Sequence, residues 1–200
     1  MSLIAVSQRV AVDSRRGERR DCLDQAWSKF MMTCGFTPVA VPNDAQAAKS
    51  LCAALPLNGI LLTGGNDLSD YGGDAPERDV TEDTLIDIAE AKALPVLGVC
   101  RGMQMIQHHF GIQLKPVTGH VTGHQTISIE GRPAEVNSYH NLGAIETLPP
   151  LEEWAVADDG VVKAVRHPNG RMTGIMWHPE RLSPFAQRDI SLFRTFFGPH

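Results

Sequence analysis

A cysteine held between two glycines, Gly98-Val-Cys-Arg-Gly102, is the arrangement in this chain that points most directly to covalent chemistry. Pro95 to Val99 reads as a buried strand, and Met103, Ile106 and Phe110 then recur at helical spacing until Gly111. A Gly-x-nucleophile-x-Gly pattern at a strand-to-helix junction is the form of a sharp elbow. Such a turn crowds its own backbone, which calls for glycine on both sides. It would lift the sulfur of Cys100 above the sheet, near the positive end of the next helix, where a thiolate is favoured. An ordinary thiol, with a pKa of about 8.5, is only slightly ionised at neutral pH, so that placement would activate it. The plainer alternative is a buried cysteine in a tight turn.

A thiol nucleophile needs a base and a group that orients the base. Met176-Trp-His-Pro-Glu180 offers both. Pro179 is expected to hold the segment extended, so that His178 and Glu180 point to one side and the carboxylate fixes the imidazole tautomer. Alone, His-Pro-Glu is an ordinary surface tripeptide; its meaning comes from the cysteine elbow upstream. Gly64-Gly65 follows a strand at Gly59–Leu62, at the end where open α/β sheets place their sites. Its bare N–H groups, with the N–H of Arg101, would form an oxyanion hole. A plain turn is the alternative there, and no Gly-x-x-x-x-Gly-Lys phosphate loop is present.

The elements that must position these groups alternate through the first half. Strands are expected at Leu3–Val6, Val39–Val41 and Gly59–Leu62. Helices are expected from Leu23 to Cys34, from Ala45 to Leu55, and from a cap at Thr81 to Ala93. Repeated βα units imply a mostly parallel sheet with helices on both faces. The second half reads as a small antiparallel extension. Gln125–Ile129 alternates, Val161–His167 and Arg171–Trp177 flank the hairpin signal Pro168-Asn-Gly170, and a helix through Ile190, Phe193 and Phe197 closes the chain. One domain over 1–200 is expected, without repeats or linkers.

Eighteen basic against 23 acidic residues give a net charge of −5, which argues against nucleic acid or a membrane surface as the main partner. No apolar stretch approaches a membrane span or a signal peptide, and the four cysteines lack paired spacing. A reducing cytoplasm is the expected setting, with a homodimer as one assembly. No metal is expected: His108 and His109 diverge on a helix, and glycines interrupt His120 and His124. Arg9, Arg15, Arg16, Arg19 and Arg20 make the amino-terminal part basic, either as a solvated loop or as an anion site.

Leu97-Gly-Val-Cys-Arg-Gly-Met-Gln104 and Trp177-His-Pro-Glu180 together resemble the class I glutamine amidotransferase superfamily over nearly the whole chain. That resemblance implies a flavodoxin-like α/β fold and a Cys100–His178–Glu180 triad. It also implies Gly65 and Arg101 as oxyanion donors, Gln104 on the γ-glutamyl head group, and no cofactor. Leu61-Leu-Thr-Gly-Gly-Asn-Asp-Leu68, Tyr71-Gly, Glu77-Arg-Asp79 with Glu82, Cys-Arg-Gly, and Val136-Asn-Ser-Tyr-His140 look like the γ-glutamyl hydrolase branch. Asn141-Leu stands where that branch usually has His-Gln. In the branch, Gly64, Asn137, Ser138, Tyr139 and His140 belong to the substrate site; His140 is otherwise a structural loop histidine. Val6-Ser-Gln-Arg-Val10, Arg19-Arg-Asp-Cys-Leu-Asp24 and Trp27 look like a sub-branch found with surface-polysaccharide enzymes. Its implied substrate is a γ-glutamyl nucleotide amidate such as γ-glutamyl-CDP-amidate, with Arg9, Arg19 and Arg20 as an anion site for the leaving group.

The expected activity is therefore hydrolysis of a γ-glutamyl amide or phosphoramidate, releasing glutamate. A glutaminase subunit feeding ammonia to a synthase is the second reading. A non-catalytic sensor that reuses the elbow is the third, and it would have no need of His178.

Overall fold

In the computed structural model, residues 2–198 are described; Met1, Pro199 and His200, part of the expected domain, lie outside the described residues. The chain opens with the apolar strand β1 (Ser2–Val6), and an exposed hairpin follows, β2 (Arg9–Asp13) and β3 (Glu18–Cys22). The arginine-rich segment is thus an ordered antiparallel pair where a solvated loop was one expectation. Its cross-strand hydrogen bonds form without the apolar alternation that would announce them.

Helix α1 (Gln25–Cys34) starts where Asp24 accepts from the Ala26 N–H at 2.9 Å, and stops at Gly35, whose φ is +91°. Strand β4 (Phe36–Ala40), helix α2 (Ala45–Ala54) and strand β5 (Leu57–Leu62) follow. Helix α3 (Pro76–Lys92) begins well before the expected cap at Thr81, which is buried inside it. Pro76 supplies the start, because its fixed φ suits the first helical position and its missing N–H is not needed there.

After β6 (Val96–Val99) and α4 (Arg101–His109) come β7 (Lys115–Pro116), β8 (Val121–Ile129), β9 (Arg132–Tyr139) and β10 (Leu142–Gly143). Then follow β11 (Glu152–Ala157), β12 (Val162–Arg166), β13 (Met172–Ile175) and α5 (Gln187–Phe197).

Nine strands form the main sheet in the order β4-β1-β5-β6-β13-β12-β11-β8-β9. The five from β4 to β13 run parallel, and the remaining four continue the same sheet antiparallel. The α/β architecture is as expected, and the extension is wider, since β9 and β11 carry no strong alternation of their own. One core gathers residues of α2, α3 and α4; the other gathers α1 and α5, so both faces are covered.

Strand β13 is the pivot, parallel to β6 and antiparallel to β12. Gly98 and Val99 pair with Gly174 and Ile175, and Leu62 pairs with Gly98. The three strands therefore end together, and Gly64-Gly65, Cys100 and His178 emerge at one edge. Residues far apart in sequence meet there because register forces them to.

Candidate active site

At the elbow, Cys100 has φ +52° and ψ −106°, a conformation that L-residues rarely adopt and that a surrounding structure must hold in place. Its N–H is anchored by the Ile175 carbonyl at 2.7 Å. A Cβ on Gly98 would lie 2.4 Å from the Gly102 carbonyl oxygen, and one on Gly102 would lie 2.1 Å from the Leu62 oxygen. Both glycines are required by close approach of α4 to the sheet. The thiol is 6% exposed, at the first turn of α4, where backbone N–H groups point toward it.

His178 is fixed at three points. Its N–H donates to Asn137 Oδ1 at 2.7 Å, its carbonyl accepts from Asn137 Nδ2 at 2.8 Å, and Nδ1 meets Glu180 Oε1 at 2.8 Å. Residues Pro179–Arg181 form a short 3₁₀ turn, not the expected extended stretch, and this turn brings Glu180 back to the ring. Nε2 is buried and has no hydrogen-bond partner among the described residues. Burial opposes a charge on His178, but the nearby Cys100 sulfur and the Glu180 carboxylate bonded at Nδ1 prevail and raise its pKa to about 9. Thiol and imidazole flank the same glycine. A Cβ on Gly64 would lie 2.8 Å from His178 Cε1 and 3.6 Å from Cys100 Cβ.

A cavity of about 460 Å³ opens beside Cys100, lined by Gly65, Arg101, Gln104, Tyr139 and His140 among others. Gln104 Nε2 donates to the Leu142 carbonyl at 2.8 Å, so its amide orientation is settled by chemistry. Of the rest of the expected substrate set, Gly64 sits between Cys100 and His178, while Asn137 and Ser138 do not line this cavity. Asn137 is the buried clamp on the His178 backbone, and Ser138 is buried with its Oγ 3.0 Å from Lys163 Nζ.

Lys163, absent from the sequence reading, is 1% exposed and also lies 2.7 Å from His140 Nε2. An ammonium has no lone pair to offer, so Nε2 accepts, while Nδ1–H donates to the Leu142 carbonyl at 2.9 Å. Burial, with the Lys163 charge behind it, lowers the His140 pKa to about 3; burial also lowers that of Lys163 to about 8. The available signal was a lysine inside the apolar run Val161-Val-Lys-Ala-Val165.

The three arginines of the expected anion site separate. Arg9 lies over Gly65, its Cδ and Nε 3.3 Å from where a Cβ would be, and no carboxylate lies within 4.0 Å of its charge among the described residues. With Arg181, His178 and Glu180 it lines a narrow cleft of about 40 Å³ on the imidazole side of Gly64. Arg181, also missed in the sequence, stacks on Tyr139 with its guanidinium 4.9 Å from the ring centre. Arg19 instead donates to Glu77 at 2.6 Å and to the Asp74 carbonyl at 2.7 Å, and Arg20 pairs with Glu18. Both are committed to holding the hairpin.

Burial pushes the Cys34 thiol up to about 12 and raises that of Cys52, so these are poor nucleophiles. Among the described residues, no three His, Cys, Asp or Glu side chains gather to hold a metal, and no helix is long and apolar enough to cross a membrane.

The family model for Peptidase C26 matches residues 2–126 and 114–180. The chain belongs to the Peptidase C26 family. This Peptidase C26 chain is 34% identical to γ-glutamyl-CDP-amidate hydrolase of Campylobacter jejuni, over 98% of its own length and 97% of the relative's. It is 27% identical to γ-glutamyl-γ-aminobutyrate hydrolase of Escherichia coli O157:H7, over 90% and 87% of the two chains. A Thermoplasma acidophilum protein, provisionally described as part of a GMP synthase, superposes with a TM-score of 0.75 at 23% identity, over 99% of this chain and 93% of that one. That likeness shows a shared α/β fold, and the family is one of γ-glutamyl hydrolases and amidotransferase-like proteins.

Proposed function

We propose that this Peptidase C26 protein hydrolyses a γ-glutamyl amide or amidate with Cys100 as nucleophile, His178 as acid and base, and Glu180 as the residue that orients it. The observation that carries the reading is a buried imidazole bound by a carboxylate at Nδ1, free at Nε2, and sharing Gly64 as a neighbour with an elbow cysteine. The Cys100 sulfur attacks the γ-carbonyl carbon, and the displaced electron pair moves to the carbonyl oxygen, facing the N–H groups of Gly65 and Arg101. The pair returns as the C–N bond breaks, and His178 gives its proton to the departing nitrogen. Water then loses a proton to His178 and attacks the thioester carbon. The C–S bond breaks, and glutamate leaves. In this reading Gln104, Tyr139 and His140 form the wall that receives the glutamyl group.

The finer substrate class is a γ-glutamyl nucleotide amidate. Two features support it: the name of the 34% identical relative, and the unpaired Arg9 with Arg181 on the side of His178 where the leaving nitrogen must depart. A pyrophosphate group suits guanidinium partners. The test is glutamate release by the purified chain from γ-glutamyl-CDP-amidate and from simple γ-glutamyl amides, with Cys100→Ala beside it. Turnover that vanishes in the variant while the thermal transition persists is expected. Wild-type turnover in Cys100→Ala would sink the assignment.

A further inference from the structure

The carbonyl groups behind the glycine loop converge on a single fully buried side chain. Arg78, on α3, is 0% exposed. Its Nη2 donates to the Thr63 carbonyl at 2.7 Å and its Nη1 to the Gly64 carbonyl at 3.2 Å, with a further bond to the Gly65 carbonyl. In a trans peptide the carbonyl and the following N–H point in opposite directions. Gathering the carbonyls of residues 63, 64 and 65 on one guanidinium therefore turns the N–H groups of Gly64, Gly65 and Asn66 the other way. The positive φ values at Gly65 and Asn66, +86° and +55°, let the chain bend tightly enough to do this. Cys100 and His178 border this loop, their Cβ and Cε1 3.6 and 2.8 Å from where a Cβ on Gly64 would be. No acceptor among the described residues takes the N–H of Gly64 or Gly65.

The same device reaches the second donor. Arg78 Nε donates to Glu82 Oε1 at 2.8 Å, while the other oxygen of Glu82 accepts from Arg101 Nη1, and Arg101 Nη2 bonds to Asp79. Arg101 follows Cys100, and its side chain is 1% exposed, its guanidinium bonded to Glu82 and Asp79. One buried carboxylate thus joins the loop carrying Gly65 to the elbow carrying the Arg101 N–H. Planar forks on both sides of Glu82 hold the two segments in a set orientation, which a lysine could not reproduce.

We infer that Arg78, acting through Glu82 and Arg101, is the positioning residue of the oxyanion hole: it aims the Gly65 N–H and keeps it in register with the Arg101 N–H. This rests on the hydrolase reading above. An oxyanion hole acts on the transition state and not on the bound substrate, so its misalignment lowers kcat and leaves KM nearly unchanged. It also leaves untouched any reaction of Cys100 that develops no oxyanion. Displacement of iodide from iodoacetamide is such a reaction and reports only thiolate and access.

The experiment compares Arg78→Lys with wild type in three measurements: steady-state glutamate release, alkylation of Cys100 by iodoacetamide followed by mass spectrometry, and the thermal transition. Expected is a fall in kcat on the order of 10²-fold, with KM and the alkylation rate each within about threefold of wild type. An unchanged kcat, or kcat and alkylation falling together, would overturn the inference and mark Arg78 as a structural staple. A wild-type enzyme that releases no glutamate from any γ-glutamyl compound would overturn the function and this inference at once. Should Arg78→Lys not fold, Arg78→Ala with millimolar methylguanidinium replaces it. Turnover restored by the additive, at constant alkylation rate, is then expected; no restoration overturns the role.

Discussion

His178 is where the physical chemistry of single residues concentrates. Its imidazole is buried, which alone would keep it neutral, yet Cys100 and Glu180 hold its pKa at about 9. If the imidazolium protonates the leaving nitrogen, kcat/KM falls as pH passes about 9. Glu180→Gln removes one of the groups that raise the pKa and is expected to shift that falling limb to lower pH. A pH–rate profile checks this, and coincident limbs would refute Glu180 as the orienting group. The sign for stability follows the same shift. Charge on His178 stabilises the fold fully below its ordinary value of 6.5, and that stabilisation is lost as pH rises through about 9. His140 behaves in the opposite sense. With Nε2 receiving Lys163, it stays neutral down to about pH 3, and Lys163→Met is expected to raise its pKa toward the ordinary value, as read by NMR titration. The elbow cysteine and His178 were legible as residue types with a required spacing. Lys163 was not, because a lone lysine in an apolar strand gives no hint of the partners that will surround it.

At the scale of elements, helix α5 braces the strand that delivers His178. Trp177 Nε1 donates to the buried Asp189 Oδ1 at 3.0 Å, and Phe193, 0% exposed, meets Phe30 of α1 edge-to-face with centroids 4.8 Å apart. Phe193→Ala is expected to cost about 3–5 kcal/mol in denaturant unfolding, since it removes a large ring and leaves a cavity. A loss below about 1 kcal/mol would mean that the α1–α5 layer repacks freely. The periodic helices were readable, because burying one face imposes a spacing. The β2–β3 hairpin and the start of α3 were not. The hairpin is stabilised by backbone pairing, and its Arg19 latches onto Glu77 and Asp74, at the beginning of α3. Such tertiary partners are invisible in a local window. The 3₁₀ turn at Pro179–Arg181 was misread for a related reason: Pro179 excludes a continuing helix but permits a tight single turn.

For the whole molecule, the question is what leaves with the glutamate and whether the chain works alone. An isolated hydrolase cleaves γ-glutamyl compounds unaided, whereas an ammonia-supplying subunit needs its synthase; turnover by the purified chain separates the two. Arg9→Gln is expected to raise KM about tenfold or more for γ-glutamyl-CDP-amidate and little for γ-glutamyl-p-nitroanilide, because loss of a charge-assisted contact matters only to an anionic leaving group. Equal effects on both substrates would remove Arg9 from that role. The order of residue types along the chain determined the βα alternation and the elbow, and singled out His178 and Glu180 as candidate base and orienting carboxylate, because these depend on local spacing and backbone sterics. Only the tertiary structure decided that β6 and β13 end side by side, that Asn137 serves the His178 backbone, and that Arg78 gathers the glycine loop. Those outcomes depend on strand register and on buried charges finding partners across long stretches of chain, and no local stretch of sequence specifies either.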